Sequence, residues 1–233
     1  MSIADKLITI AENEQKVYDA GKQAEHDAFW DAYQQDGERG DYQYAFYGKY
    51  WNNTTFNPKH PIKVTWAQSM FMYSDIYGEI ELDTSACSSF TNMFHSANFS
   101  KIGVMDMRKA TGLTNTFHNM PDLVEIEKLI ITENLNFGGT NTFGATSKLE
   151  RLTIEGTIGQ DGLNLKFQTK LTQASILSIM NALSSTTSGL TVTLSKAAVD
   201  EAFKDEEYGI IGSEHPNWIW ETMKKSNWIV SLV

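Results

Sequence analysis

Two histidines occupy equivalent places in two similar stretches of the sequence. His95 ends the string TNMFH, and His118 ends the string TNTFH 23 residues later. If the two strings lie on adjacent parallel strands, their imidazoles are about 5 Å apart, which makes them a candidate pair for a divalent metal. The equivalent positions of the neighbouring units hold Met72 and Gly144, which supply no third ligand. We therefore favour solvent-facing turn residues over a metal site, and we expect no cofactor.

Other residues that could carry out catalysis are sparse. The chain has no glycine-rich phosphate loop with its lysine, no nucleophile elbow and no His-Glu-x-x-His helix. Its one cysteine, Cys87, lies in TSACSSF without a neighbouring base, which favours a small buried residue over a nucleophile. These observations predict a protein that is not an enzyme.

The histidine strings belong to a longer series of repeats. Four phenylalanines follow one another at intervals of 23, 23 and 26 residues: Phe71, Phe94, Phe117 and Phe143. A short apolar pair of strand character follows each of them: Ile80 and Leu82, Met105 and Met107, Ile126 and Leu129 (or Leu129 and Ile131), and Leu152 and Ile154. One short strand in each unit of this length is typical of a leucine-rich-repeat solenoid.

Asparagines form a second series two positions before the last three phenylalanines, at Asn92, Asn115 and Asn141. Their amides could satisfy backbone groups inside the turns and form a ladder between units. Alternatively, three amides could be presented to a ligand. Because each asparagine lies between a threonine and an apolar pair, we favour the structural ladder.

Residues that alternate with the apolar pairs are expected on the outer face of the sheet. They are Glu81, Asp106, Glu127 and Thr153, with Glu79, Asp83, Glu125 and Glu155 beside them. We expect this face to be acidic. It is either an extended surface that binds a protein or a cell-surface glycan, or a charged face that keeps the sheet soluble, and the sequence leaves both open.

The segments around the repeats divide the chain into four parts. Residues 1–36 are predicted to form a long helix with coiled-coil spacing, and residues 1–35 would oligomerise or dock on the body. Residues 37–66 are rich in aromatic side chains and form the N-terminal cap. Residues 67–162 hold about four repeat units, and residues 163–233 alternate helix and strand as a C-terminal cap.

The aromatic cap allows two interpretations. Its aromatic patch consists of Tyr42, Tyr44, Tyr47, Tyr50 and Trp51, and the alternation of Tyr42, Tyr44 and Phe46 predicts a half-buried strand. Such dense aromatic residues could stack on sugars or bases, or they could cover the open end of the core. We favour the covering role.

The composition limits the classes of partner that the protein is expected to bind. The net charge of −10 should repel nucleic-acid phosphates and anionic lipid. No apolar run is long enough to span a membrane, and the first residues do not form a secretory signal. We therefore expect synthesis in the bacterial cytoplasm, with neither nucleic acid nor membrane insertion among the interactions.

The phenylalanine-anchored units resemble the BspA-like leucine-rich repeats of bacteria, whose aromatic residue precedes a turn and a strand such as LERLTI, here from Leu149. Over its full length, including ADKLITIAENEQKVYDAG near the start and LTQASILSIMNALSS near the end, the chain looks like repeat proteins encoded beside tail genes in phages and prophages of gut Firmicutes. The resemblance implies an α/β repeat fold, with a long N-terminal helix, a short solenoid and an α/β cap. It also implies a virion-associated protein that attaches to the host surface or assists assembly. The alternative is an intracellular phage protein that inhibits a host defence or regulatory protein.

Overall fold

The computed structural model describes residues 41–48, 55–56, 62–204 and 228–233, together with the isolated positions Gly21 and Ala24. Apart from these two positions, the helix predicted over residues 1–36 lies outside the described residues. Tyr50 and Trp51 of the aromatic patch also lie outside them. The four-part division of the chain therefore stays a prediction.

Seven strands in the described residues form two parallel sheets, each in chain order. The first sheet contains β1 (Tyr77–Ile80), β2 (Asn98–Asp106), β3 (Glu125–Ile130) and β4 (Arg151–Glu155). The second contains β5 (Asn164–Leu165), β6 (Thr191–Leu194) and β7 (Ile229–Leu232). Two α-helices, α1 (Gln173–Ala182) and α2 (Lys196–Ala202), and a short 3-10 helix (Gly139–Asn141) complete the described elements.

The fold class predicted from the sequence, a long N-terminal helix followed by a leucine-rich-repeat solenoid with an α/β cap, is wrong. The described residues form an α/β arrangement of two small parallel sheets with little helix, and no clear solenoid. The reason lies after β4. Helix α1 packs along the free edge of that strand and ends the first sheet, so that among the described strands β5, β6 and β7 pair only with one another.

A file of stacked phenylalanines runs through the core beside the first sheet. Consecutive ring centroids are 5.0, 5.6, 5.9 and 5.3 Å apart along the series Phe46, Phe71, Phe94, Phe117 and Phe143. Backbone hydrogen bonds follow the same repeat, because the N–H of Phe71 donates to Met93 O (2.8 Å) and the N–H of Phe94 donates to Thr116 O (3.0 Å). Apolar packing and backbone pairing therefore hold successive units in one register.

Phe46 is a fifth member of this file that the sequence intervals did not reveal. It is fully buried and stacks on Phe71 at an interplanar angle of 18°. Residues 43–46 form a turn, so the half-buried strand predicted from Tyr42, Tyr44 and Phe46 is wrong. The turn resembles the turns of the later units, since Tyr44 has φ 59° and Asn92 has φ 56°.

Strand pairing changes the alignment of the second unit. The register places Ile80, Ile102, Ile126 and Leu152 in one row across the sheet. The next core row contains Met105, Leu129 and Ile154, so the core pair within β2 is Ile102 and Met105. Met107, which the sequence paired with Met105, is also fully buried but follows the end of the strand. In β2 and β3 two residues lie between the core positions, whereas in β4 only one residue does. The extra residue forms a bulge, and the pairing register between β3 and β4 shifts there.

The free edge of β4 is closed by two serines of helix α1. Ser175 Oγ accepts the N–H of Leu152 (3.0 Å) and donates to Glu150 O (3.0 Å), and Ser178 Oγ accepts the N–H of Ile154 (2.8 Å). The opposite edge is covered by isolated bridges from Thr55 to Tyr77 and from Lys63 to Asp83. Closed edges prevent the sheet from pairing with another strand, so its outer face is what it offers to a partner.

Candidate binding surfaces

The outer face of the first sheet carries a row of alternating charges. Glu79, Lys101, Glu125 and Arg151 pair in register across β1 to β4. Arg151 Nη2 lies 2.7 Å from Glu125 Oε2, and Lys101 Nζ lies 3.8 Å from Glu125 Oε1 and 3.8 Å from Glu127 Oε2. A further pair, Lys128 and Glu155, is 2.8 Å apart and raises the pKa of Lys128. Glu125, Glu127 and Glu155 thus have basic partners, whereas Glu79 and Glu81 have none among the described residues, so the face keeps an excess of carboxylates without being uniformly acidic.

The predicted binding residues do not form one row. Glu81, Glu127 and Thr153 are all exposed, on or beside β1, β3 and β4. The bulge displaces Asp106, which pairs with Ile130 one step further along the sheet. The place expected for Asp106 is taken by Gly103 and Val104, and Val104 is an exposed apolar residue. The centre of the outer face is thus less charged than the sequence suggested.

Asp106 and Asp83 hold the loops that follow their strands. Arg108 donates to both carboxylate oxygens of Asp106, with Nη2 to Oδ2 at 2.6 Å, and this hydrogen bonding lowers the pKa of Asp106. The Ser85 hydroxyl and N–H both donate to Asp83 Oδ1, and they lower the pKa of Asp83. Both carboxylates have partners on their own chain, which fits loop anchors better than ligand-binding groups.

The predicted asparagine ladder lies at the turns on the edge of the units. Asn115 Nδ2 donates to Asn92 Oδ1 (3.0 Å), and both residues are half-buried with left-handed backbone, φ 54° and 56°. Asparagine tolerates this conformation better than most residues do, which explains why asparagine recurs at these two turn positions. Asn141 is different, because it is exposed and ends the 3-10 helix.

The two histidines of the repeated strings stack on each other at these turns. Their ring centroids are 5.1 Å apart with an interplanar angle of 7°. His118 Nδ1 lies 3.1 Å from Asn141 O, and since a carbonyl only accepts, Nδ1 carries the proton and Nε2 of the neutral ring is an acceptor. Burial lowers the pKa of His95, as does repulsion from His118 when that ring is protonated, and His95 Nδ1 is buried with no hydrogen-bond partner among the described residues.

The aromatic patch divides into a buried and an exposed part. Tyr42 belongs to the core, whereas Tyr44 and Tyr47 are exposed and contact each other edge to face at 5.8 Å. Tyr47 in turn contacts Tyr73 at 5.8 Å, and Tyr73 contacts His95 at 5.3 Å. Sequence reasoning missed Tyr73, although it stands two residues after Phe71 as Ser96 stands two after Phe94. Of the described residues of the patch, Tyr42 therefore lies within the core, and Tyr44 and Tyr47 belong to an exposed series of rings.

No family model, curated protein or solved structure matches this chain. Among the described residues, no three or more histidine, cysteine, aspartate or glutamate side chains are placed to hold a metal ion. No helix in the described ranges is long and apolar enough to cross a membrane. Cys87 is fully buried, and burial raises its pKa to about 11, which suppresses the thiolate.

Proposed function

We propose that this chain is a non-enzymatic recognition protein of a phage or prophage, associated with the tail, and that it attaches to the host surface or assists virion assembly. The observation that carries the proposal is the outer face of the first sheet. Both edges of that sheet are closed by the chain itself, and four parallel strands present side chains at repeated positions. A face of this kind offers an extended surface to a partner.

The outer face of the first sheet is suited to contact with a partner. Val104 and Thr153 are exposed and short, so a partner can approach the strands closely there. Glu79 and Glu81 are exposed and make no ion pair with another described residue, which leaves charge for a partner to neutralise. The remaining charged pairs are solvent-exposed and contribute little to stability, so substitutions on this face can change binding without unfolding the protein.

A variant of the outer face tests the proposal. We expect Thr153→Arg to weaken binding to intact host cells, or to purified tails, at least tenfold, because a long charged side chain would project from β4 on the outer face and obstruct a partner. Ala197→Arg is the matched control, since Ala197 is exposed on α2 and the same side chain is added away from the sheet. Equal binding by Thr153→Arg and wild type would show that this face is not used.

Mass spectrometry of purified virions tests the location. Tryptic peptides of this chain in the particles at a fixed ratio to tail proteins would support a tail role. A chain absent from particles, with a stoichiometric partner in host lysate, would instead support the intracellular interaction protein that the sequence left open.

A further inference from the structure

Five aromatic rings form a continuous ridge along the turns of successive units. We call Tyr44, Tyr47, Tyr73, His95 and His118 the aromatic ridge. Each ring contacts the next, with centroid distances of 5.8, 5.8, 5.3 and 5.1 Å along the series. The ridge lies at the turns and not on the outer face of the sheet, so it is a second surface, separate from the one in the proposed function.

The tyrosines of the ridge are open to solvent. Tyr44 is 52% exposed, Tyr47 43% and Tyr73 39%. Their contacts are edge to face, with interplanar angles of 76° and 84°, so one ring of each pair keeps both of its faces free of its partner. Exposed aromatic residues that are grouped in this way mark an interaction site more often than single exposed residues do.

Two of these tyrosines occupy backbone positions that disfavour them. Tyr44 has φ 59° and Tyr73 has φ 62°, in the left-handed region where a bulky residue is an outlier. The equivalent positions of other units hold Asn92 and Asn115, or Ser96 and Asn119, which suit such turns better. Tyrosine therefore stands where a smaller polar residue would be more stable, a kind of strain that clusters at functional sites.

The turns that carry the ridge contain no ionised side chain. Residues 43–48, 68–73, 91–96 and 114–119 include no aspartate, glutamate, lysine or arginine, whereas 21% of the whole chain is charged. Neutral hydrogen-bonding groups lie beside the rings instead. Asn119 is exposed and its Nδ2 donates to Ser96 Oγ (2.8 Å), and His118 Nε2 has no partner among the described residues. Tyrosine, serine and asparagine are also enriched in the binding loops of antibodies, where tyrosine supplies rigid contact area and the small polar residues supply adaptable hydrogen bonds.

We propose that the aromatic ridge binds a neutral, extended oligosaccharide. Tyrosine rings stack on the C–H faces of sugar rings, while the amide, hydroxyl and imidazole groups beside them bond sugar hydroxyls. The 5.1 Å spacing of the stacked histidines is close to the length of one sugar in an extended β-linked chain, so a polymeric ligand can meet successive units in register. An anionic polymer is disfavoured by the net charge of −10.

Titration with defined oligosaccharides tests this inference. The probes are the hexamers of β-1,4-linked N-acetylglucosamine and of β-1,4-linked glucose, with polygalacturonate as the anionic comparison, and binding is followed by calorimetry. We expect saturable binding to a neutral hexamer and none to polygalacturonate. The double variant Tyr47→Ala with Tyr73→Ala should bind at least tenfold more weakly, as each lost ring removes a stacking contact.

Two further variants separate stacking from loss of structure. Tyr73→Phe keeps the ring and should bind within about threefold of wild type. Phe167→Ala removes another exposed ring, 47% exposed and outside the ridge, and should bind as wild type. Unfolding midpoints measured for each variant identify any that fail to fold. Unchanged binding by a folded double tyrosine variant, or no binding of either hexamer by wild type, would overturn the inference.

This titration uses neither virions nor host cells, so the two proposals fail separately. If the hexamers do not bind while Thr153→Arg weakens cell attachment, the ridge inference is overturned and the attachment role stands. If a hexamer binds through the tyrosines but the chain is absent from particles and does not bind cells, the attachment role is overturned and the oligosaccharide site stands.

Discussion

At the scale of single residues, conformation explains the turns more directly than side-chain chemistry does. Five turns place a residue at left-handed φ two positions before the phenylalanine or two positions after it. Most of these residues are serine, asparagine, alanine or glycine, and two are tyrosine. The two tyrosines therefore expose ring surface at a cost in backbone stability, and this cost can be measured as a change in the free energy of unfolding.

Replacing Tyr44 by asparagine should stabilise the protein. The change places at φ 59° the residue type found at Asn92 and Asn115, and it gives up one exposed edge-to-face contact with Tyr47. We expect the free energy of unfolding in urea to rise by about 1 kcal/mol, the cost of left-handed backbone for an ordinary residue. Tyr44→Ala is the control, because it removes the ring and keeps the strained backbone. A Tyr44→Asn variant no more stable than Tyr44→Ala would contradict the strain.

Some of these residue roles could be predicted from the sequence. The intervals between Phe71, Phe94 and Phe117 are equal, and all three lie in one stacked file. Phe46 was missed because its tyrosine neighbours imitate the alternation of a strand, so that the residue was assigned to a strand and not to the repeat series. The exposure of Tyr73 could not be predicted, since it depends on which side of a left-handed turn the ring leaves.

At the scale of elements, helix α1 closes the edge of β4, a role that neither its amphipathic pattern nor its N-cap residue predicts. Ser175 and Ser178 are one turn apart on the helix, and they meet the N–H groups of Leu152 and Ile154, two residues apart on β4. The sequence predicted the helix from its apolar stripe and from Thr172 as N-cap, and Thr172 accepts the Ser175 N–H at 3.3 Å. Which serines face a strand depends on packing between elements, which no local pattern records.

Removing the two serine hydroxyls should destabilise the β4 edge. We expect Ser175→Ala to cost about 1 to 3 kcal/mol in the free energy of unfolding, because the N–H of Leu152 is left buried without a partner. The double variant Ser175→Ala with Ser178→Ala should cost more and should self-associate at high concentration, since its open strand edge can pair with another molecule. Chemical denaturation and light scattering measure the two effects.

The control for this helix is Asn181→Ala, which changes an exposed residue of α1 away from β4. Its free energy of unfolding should stay within about 0.5 kcal/mol of wild type. If Ser175→Ala behaves like Asn181→Ala, the hydroxyl bonds contribute nothing, and packing of the helix alone covers the edge.

The bulges explain why the alignment of the strands was predicted only in part. The sequence offered two alignments for β3 and one for β2, and the alignment for β2 was displaced. A bulge adds a residue to one strand without changing the apolar count, so Ile102 and Met105 look no different from Met105 and Met107. Every residue assigned to the outer face depends on this register, and Asp106 was misplaced for this reason.

At the scale of the whole molecule, one hydrophobic core joins both sheets. The buried residues form a single cluster that reaches from Tyr42 to Trp228, and it includes side chains of both α-helices. Trp228 Nε1 donates to Ser184 O (3.1 Å), which ties the last described segment to the loop after α1. Because each unit packs on the next, we expect the described units to unfold as one cooperative body.

Cys87 reports on this cooperativity. It is buried between β1 and β2, far along the chain from α1, and a pKa of about 11 leaves its thiol unreactive until the core opens. We expect the opening free energy measured by thiol labelling in urea to equal the global value from circular dichroism. We also expect Ser175→Ala, at the opposite end of the first sheet, to lower both values by the same amount. Phe71→Leu, in the same hydrophobic core as Cys87, should lower both values and serves as the control. If Ser175→Ala lowers the global value but leaves Cys87 labelling unchanged, the units open independently, and the sheet behaves as a stack of neighbours and not as a single body.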